Sequence, residues 1–151
     1  MRHRLTRARA IFGSFVLAAT TLVSACLKST EPLPSSLHLD GTWNYTGTQT
    51  NPVRETLTGT LTISSESGNS FLGRLDVVAV NAQSGQSRIL SGIVSGAQKG
   101  NDVIDFDATL ETNPRRHVGQ IVADTVAGPW VGSAADGSVE SGTFRIERQS
   151  Q

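Results

Sequence analysis

A chain of 151 residues with 13 Lys+Arg against 13 Asp+Glu has the size and neutrality of one domain, which typically spans roughly 100–200 residues. With 17% charged, 37% hydrophobic and 5% aromatic residues, its composition is that of neither a disordered nor a membrane-embedded chain. A single cysteine excludes a disulfide framework and a cysteine-rich metal site.

The zero net charge divides into two unequal parts. Arg2, Arg4, Arg7 and Arg9 crowd the start without an acid, whereas after Cys26 nine basic residues face thirteen acidic ones, a balance of −4. The basic start, the apolar stretch Ala10 to Val23 and the small pair Ser24-Ala25 have the layout of a cleavable secretory signal peptide over residues 1–25. Ser14, Thr20, Thr21 and Ser24 interrupt the run, which falls short of the roughly 20 mostly apolar residues needed to span a bilayer.

The lone cysteine closes the segment Val23-Ser24-Ala25-Cys26. This segment resembles the lipobox of bacterial lipoproteins, although leucine is commoner at the place of Val23. The resemblance implies cleavage before Cys26 and lipidation of that cysteine. Each buried lipid CH₂ contributes about 0.8 kcal/mol, so a multiply acylated Cys26 would hold the chain on a membrane. Leu27, rather than Asp, after the cysteine implies by the same resemblance the outer membrane of a bacterial cell envelope. Residues 26–37 then form a tether, in which Leu27 to Leu37 carries two prolines and four Ser/Thr. Its eleven residues reach at most about 36 Å at ~3.3 Å each.

From residue 38 to 151 the chain reads as one all-β domain. Apolar residues recur at every second position in short runs separated by turn formers, the pattern of strands and hairpins. The predicted strands are Leu39–Thr46, Thr56–Ile63, Phe71–Val80, Arg88–Ser95, Val103–Leu110, Arg116–Ala123, Gly128–Gly132 and Val139–Glu147. Eight sequential strands with short turns imply a small antiparallel up-and-down meander, which closes into a barrel to remove its edges.

Alternation assigns the two faces. Trp43, Tyr45, Leu57, Leu61, Phe71, Leu75, Leu90, Val94, Ile104, Phe106, Ile121, Trp130, Phe144 and Ile146 share the dry face, while the opposite face of the first two strands is almost entirely Thr and Asn. Glycines recur on the dry face two residues from large apolar side chains, as in Gly41-x-Trp43 and Leu57-x-Gly59-x-Leu61, and tight coiling of a small barrel accounts for them. The turns suggest Tyr45 opposite Leu57, Trp43 opposite Gly59, Gly92 opposite Phe106 and Val80 opposite Ile89.

The opening Leu39-Asp40-Gly41-Thr42-Trp43, with Gly-x-Trp on the first strand of such a meander, resembles the calycin group of lipocalins, fatty-acid-binding proteins and avidins. The resemblance implies that Trp43 packs at the barrel base under a basic residue of the last strand. Arg148 shares the inward parity of Phe144 and Ile146 and is the expected partner, in a contact of roughly 0.5–2 kcal/mol. Avidin-like biotin recognition is not expected, because the relevant positions are Tyr45 and Gln49.

Chemistry-bearing motifs are scarce. His38 and His117 have no spacing that makes them metal ligands, and His117 reads as a surface residue beside Pro114-Arg115-Arg116. Asp105 and Asp107 lie along the wet face of a strand, with Arg116 expected near Glu111. The chain has no Gly-x-Ser-x-Gly, Ser-x-x-Lys or Gly-x-x-x-x-Gly-Lys pattern, so no enzyme activity and no cofactor or metal is expected. The −4 balance disfavours nucleic acid.

Two functions follow. Val78, Val80, Ile89 and Ile93 put apolar side chains on the wet face, which marks an interface with a protein partner or a second copy. The first reading is therefore a lipid-anchored, non-enzymatic interaction or structural module. The alternative is a calycin-like carrier of a small apolar ligand, since eight strands enclose either a filled interior or one small ligand.

Overall fold

The computed structural model describes residues 38–100 and 102–149. The expected signal peptide at 1–25, Cys26 and the expected tether to residue 37 lie outside the described residues.

Eight strands follow one another: β1 (Gly41–Asn51), β2 (Glu55–Ser67), β3 (Ser70–Asn81), β4 (Ser87–Lys99), β5 (Val103–Leu110), β6 (Asn113–Val122), β7 (Thr125–Ser133) and β8 (Val139–Arg148). Each pairs antiparallel with the next, and β8 returns to β1, so the sheet is a closed up-and-down barrel. Closure satisfies the backbone donors and acceptors that an open edge would expose.

The interior is formed by the alternating apolar residues. Trp43, Leu61, Leu75, Leu90 and Val126 are among those with essentially no exposed surface. Inward glycines sit where strands cross most closely. A Cβ on Gly59 would lie 2.0 Å from the Asp76 carbonyl oxygen, and one on Gly92 would lie 1.8 Å from that of Thr109. Only a residue without a side chain allows the backbones to approach so closely.

Four pairings differ from those the turns suggested. Tyr45 faces Gly59 and Trp43 faces Leu61, Gly92 faces Leu110 while Phe106 faces Gly96, and Ile89 faces Val78 rather than Val80. The β1–β2 and β3–β4 pairings are shifted by two residues and the β4–β5 pairing by four. The strands run further into their hairpins than turn-forming composition suggests, and an even shift keeps every side chain on its own face. Aromatic side chains still lie across from glycines, as Tyr45–Gly59 and Phe106–Gly96 do.

Strand ends moved as well. β6 begins at Asn113 rather than Arg116 and takes in Pro114, and β7 begins at Thr125 and buries Val126. The barrel therefore has two unlike ends. One carries the chain entry at Leu39 and the hairpins β2–β3, β4–β5 and β6–β7; the other carries the hairpins β1–β2, β3–β4, β5–β6 and β7–β8.

Candidate functional site

The first end is capped by Trp43. Its indole Nε1–H donates to the Leu39 carbonyl at 2.9 Å, and the Arg148 guanidinium lies 4.5 Å from its ring centroid. Arg148 Nη1 donates to the Asp40 carbonyl at 2.9 Å, and Nη2 donates to that of His38. β8 places Arg148 directly opposite Trp43 in the ladder, so the cation and the ring meet by register. Beside this cap the ligating atoms of His38, Asp40 and Glu66 fall within 4.8 Å of one another, a grouping that spacing along the chain did not reveal. Glu66 already accepts the Leu39 N–H at 3.3 Å, and the His38 side chain is 86% exposed with its Nδ1 3.9 Å from Glu66, so the three form a loose group at the surface.

The second end is polar on the inside. Arg115 and His117 point inward with Gly119, because β6 alternates from Asn113 onward. His117 is 1% exposed, which corrects its assignment to the surface. Its ring stacks on Phe106 with centroids 4.5 Å apart and meets the edge of Phe144 at 5.0 Å. A carbonyl can only accept, so Nδ1 carries the proton donated to the Arg115 carbonyl at 2.8 Å. Nε2 then accepts the Tyr45 hydroxyl at 3.2 Å. Burial holds this neutral imidazole down to a pKa of about 4, helped by the nearby Arg115 charge and opposed by the hydrogen bond to the Arg115 carbonyl. The same burial pushes the Tyr45 phenol well above its usual range.

Around this aromatic floor stand the charges. Arg115, also buried, places Nε and Nη2 each 2.9 Å from Glu140 Oε2, and its guanidinium carbon lies 5.0 Å from the Trp130 ring centroid. Arg88 donates from Nη2 to Glu55 at 2.9 Å, which raises its pKa, and its Nη1 lies 3.8 Å from Glu111. Among the described residues, three buried side-chain polar atoms have no hydrogen-bond partner, all in this half: Arg115 Nη1, Gln49 Oε1 and Trp130 Nε1. Arg88, Leu110, Glu111, Arg115, Ala135 and Glu140 are among the residues lining a pocket of about 200 Å³ between the hairpins. A larger depression of about 400 Å³ on the outer wall, over Phe71 and Leu72, is open to solvent and remote from these groups.

The outer face carries the remaining residues that alternation singled out. Ile89 and Ile93 are 77% and 70% exposed, Val78 is less so, and Val80 is half-buried at the strand end. Beside them Arg74 Nε donates to Asp76 at 3.0 Å. The Ser91 hydroxyl and Arg74 together hold the Asp76 carboxyl below its usual range. Arg116 does not approach Glu111, which belongs to Arg88; it pairs with Asp105 across the β5–β6 ladder. The hydrogen bonds from Arg116 and Lys99 lower the Asp105 carboxyl to about 2.

No protein-family model matches the chain, and no curated protein sequence matches it. Among solved structures, the barrel is similar to EF1p2_mFAP2b bound to DFHBI, at TM-score 0.60 and 16% identity over 74% of this chain and 94% of the other. It is also similar to the redesigned β-barrel mFAP1 bound to DFHBI, at TM-score 0.55 and 17% identity over 73% and 94% of the two chains. A protein of unknown function from Bacteroides ovatus matches at TM-score 0.50 and 10% identity, over 74% of this chain and 42% of its own. At these identities the likeness is one of fold, shared with designed barrels.

Tyr45, Phe106, Phe144 and Trp130 were placed inward by alternation. The polar members Gln49, Glu55, Arg115, His117 and Glu140 were not. Their signal was continued parity: Gln49 with Tyr45, Glu55 with Leu57, Arg115 and His117 with Ile121, and Glu140 with Phe144.

Proposed function

We propose that the chain is a lipid-anchored envelope lipoprotein whose barrel is a non-enzymatic interaction module. The observation that carries this reading is the contrast between its two faces. The interior is occupied by its own side chains, while Ile89 and Ile93 lie bare beside Val78 on the outer wall. Contiguous exposed apolar area marks an interface. The Arg74–Asp76 pair next to Ile93 makes the strip charge-balanced. Self-complementarity of this kind suits a two-fold contact with a second copy. Cys26 and the basic, apolar start of the chain support the anchor, and Leu27 supports the outer membrane.

An Ile89→Asp/Ile93→Asp variant is expected to lose self-association in the native envelope while folding normally, measured by crosslinking. Unchanged crosslinks would remove the interface. For the anchor, wild-type chain is expected to incorporate palmitate and a Cys26→Ala chain to lose it; continued labelling would overturn the lipid attachment.

A second reading, carriage of a small molecule, is favoured by the two similar barrels whose structures hold DFHBI. The interior expected to take an apolar ligand is lined by the chain's own buried side chains, and the polar pocket of about 200 Å³ offers carriage a second space.

A further inference from the structure

We propose that the polar end of the barrel is a binding site for a small zwitterion of the α-amino acid class, its carboxylate held by Arg115 and Arg88 and its ammonium by Glu140 and Glu111. The inference rests on the carriage reading and names the ligand class for it.

Three observations converge. The first is size: about 200 Å³ is roughly the share of six or seven liquid waters, below the roughly 300–1,000 Å³ of sites for drug-sized molecules. A lipid or an extended aromatic does not fit. The second is charge. The ionised groups lining the pocket are two guanidiniums and two carboxylates, and Glu55 holds Arg88 from behind. A lone anion entering would meet Glu111 and Glu140, and a lone cation would meet Arg88 and Arg115. A molecule bearing both charges a few ångströms apart satisfies both pairs.

The third is unused hydrogen-bonding capacity. Glu140 occupies Nε and Nη2 of Arg115, but Nη1 is buried without a partner. The Trp130 ring face compensates part of that charge without accepting a directed bond at the edge of the guanidinium. Arg88 keeps Nη1 at 3.8 Å from Glu111, an ion pair without a hydrogen bond, so its fork is half free. Planar guanidinium groups recognise carboxylates through such parallel N–H pairs. Buried polar groups in native proteins are almost always partnered, and the unpartnered nitrogen of Arg115, a residue that lines the pocket, points to a guest.

The two tryptophans provide the test, because Trp43 caps one end and Trp130 lies beneath the other. The full chain, ¹⁵N-labelled and held in detergent, is titrated with each of the twenty common amino acids, with acetate, with ethylammonium and with decanoate. At least one amino acid is expected to shift the Trp130 indole resonance saturably and leave that of Trp43 in place, with neither acetate nor ethylammonium doing so alone. Glu111→Gln, at an exposed side chain, is expected to weaken this binding about tenfold or more. The paired change Arg115→Gln/Glu140→Gln removes both buried charges together, keeps the fold and is expected to abolish binding. Binding by acetate or ethylammonium as strong as by any amino acid would overturn the zwitterion. Unaltered amino-acid binding by the paired variant would overturn the site. A saturable response to decanoate alone would relocate the ligand to the apolar interior, leaving carriage intact and this site refuted, whereas silence to every probe would defeat both.

Discussion

At the Trp43 end the polar atoms over the core are engaged. The indole N–H meets Leu39, and two arms of Arg148 meet Asp40 and His38. At the Arg115 end a cation likewise lies over a tryptophan, 5.0 Å from its centroid against 4.5 Å, yet its Nη1, the Trp130 indole N–H and the Gln49 carbonyl oxygen are left without partners. The same pair of residue types therefore makes a seal in one place and a recognition surface in the other. What differs is the surroundings. Arg148 is partly exposed and spends its donors on backbone carbonyls, while Arg115 is buried and neutralised by one carboxylate. A seal of backbone carbonyls has no vacancy for a ligand; a buried ion pair with spare donors does.

The largest effect that should separate the ends comes from removing the cations. Arg115→Ala leaves Glu140 buried and uncompensated, which costs about 3–5 kcal/mol in unfolding free energy measured by urea denaturation. Arg148→Ala removes a partly exposed cation–π contact, and a smaller loss is expected, about 0.5–2 kcal/mol. Equal losses would erase the distinction drawn between the two ends.

Next is the response to pH. The folded-state pKa of His117 is depressed to about 4 against an ordinary 6.5. Between these values the unfolded chain takes up a proton that the folded chain refuses. Stability contributed by this group is thus complete above pH 6.5 and falls as the pH drops towards 4, by about 3 kcal/mol in all. Asp105, lowered to about 2, loses its contribution only below its ordinary 3.8, so the two windows do not overlap. His117→Phe is expected to abolish the slope between pH 6.5 and 4, and a slope that survives would show that another group titrates there.

Smaller still is Gly142→Ala. The added Cβ would lie 1.8 Å from the Thr48 carbonyl oxygen and 2.7 Å from Trp130 Nε1. Overpacking of this kind costs about 1–3 kcal/mol. It should displace the Trp130 indole resonance and leave that of Trp43 unmoved; movement of both would mean that the ends are mechanically coupled.

The walls of the barrel were legible in the sequence because alternation has a period of two, and a two-residue error in register leaves parity untouched. Ile89 was therefore placed on the outer face even though its partner is Val78 rather than Val80. The polar end was illegible for the same reason in reverse. Apolar alternation ends where Arg115, His117, Glu140 and Gln49 begin, so those positions read as loop or surface although their parity continues the strand. Pairings such as Arg115 with Glu140, 25 residues apart and two strands on, depend on closure and register together. Trp43 and Arg148 could be brought together from the sequence because both lie on neighbouring strands of a closed meander at matching parity.

The most direct test of the difference between the ends is hydrogen exchange at the two indole N–H groups, followed in one sample without ligand. Trp43 donates to Leu39 beneath Arg148 and is expected to exchange slowly, at the rate of the barrel's own opening. Trp130, with no acceptor, is expected to exchange markedly faster. A Trp130 indole as slow as Trp43, or slower, would contradict the account of one sealed end and one receptive end.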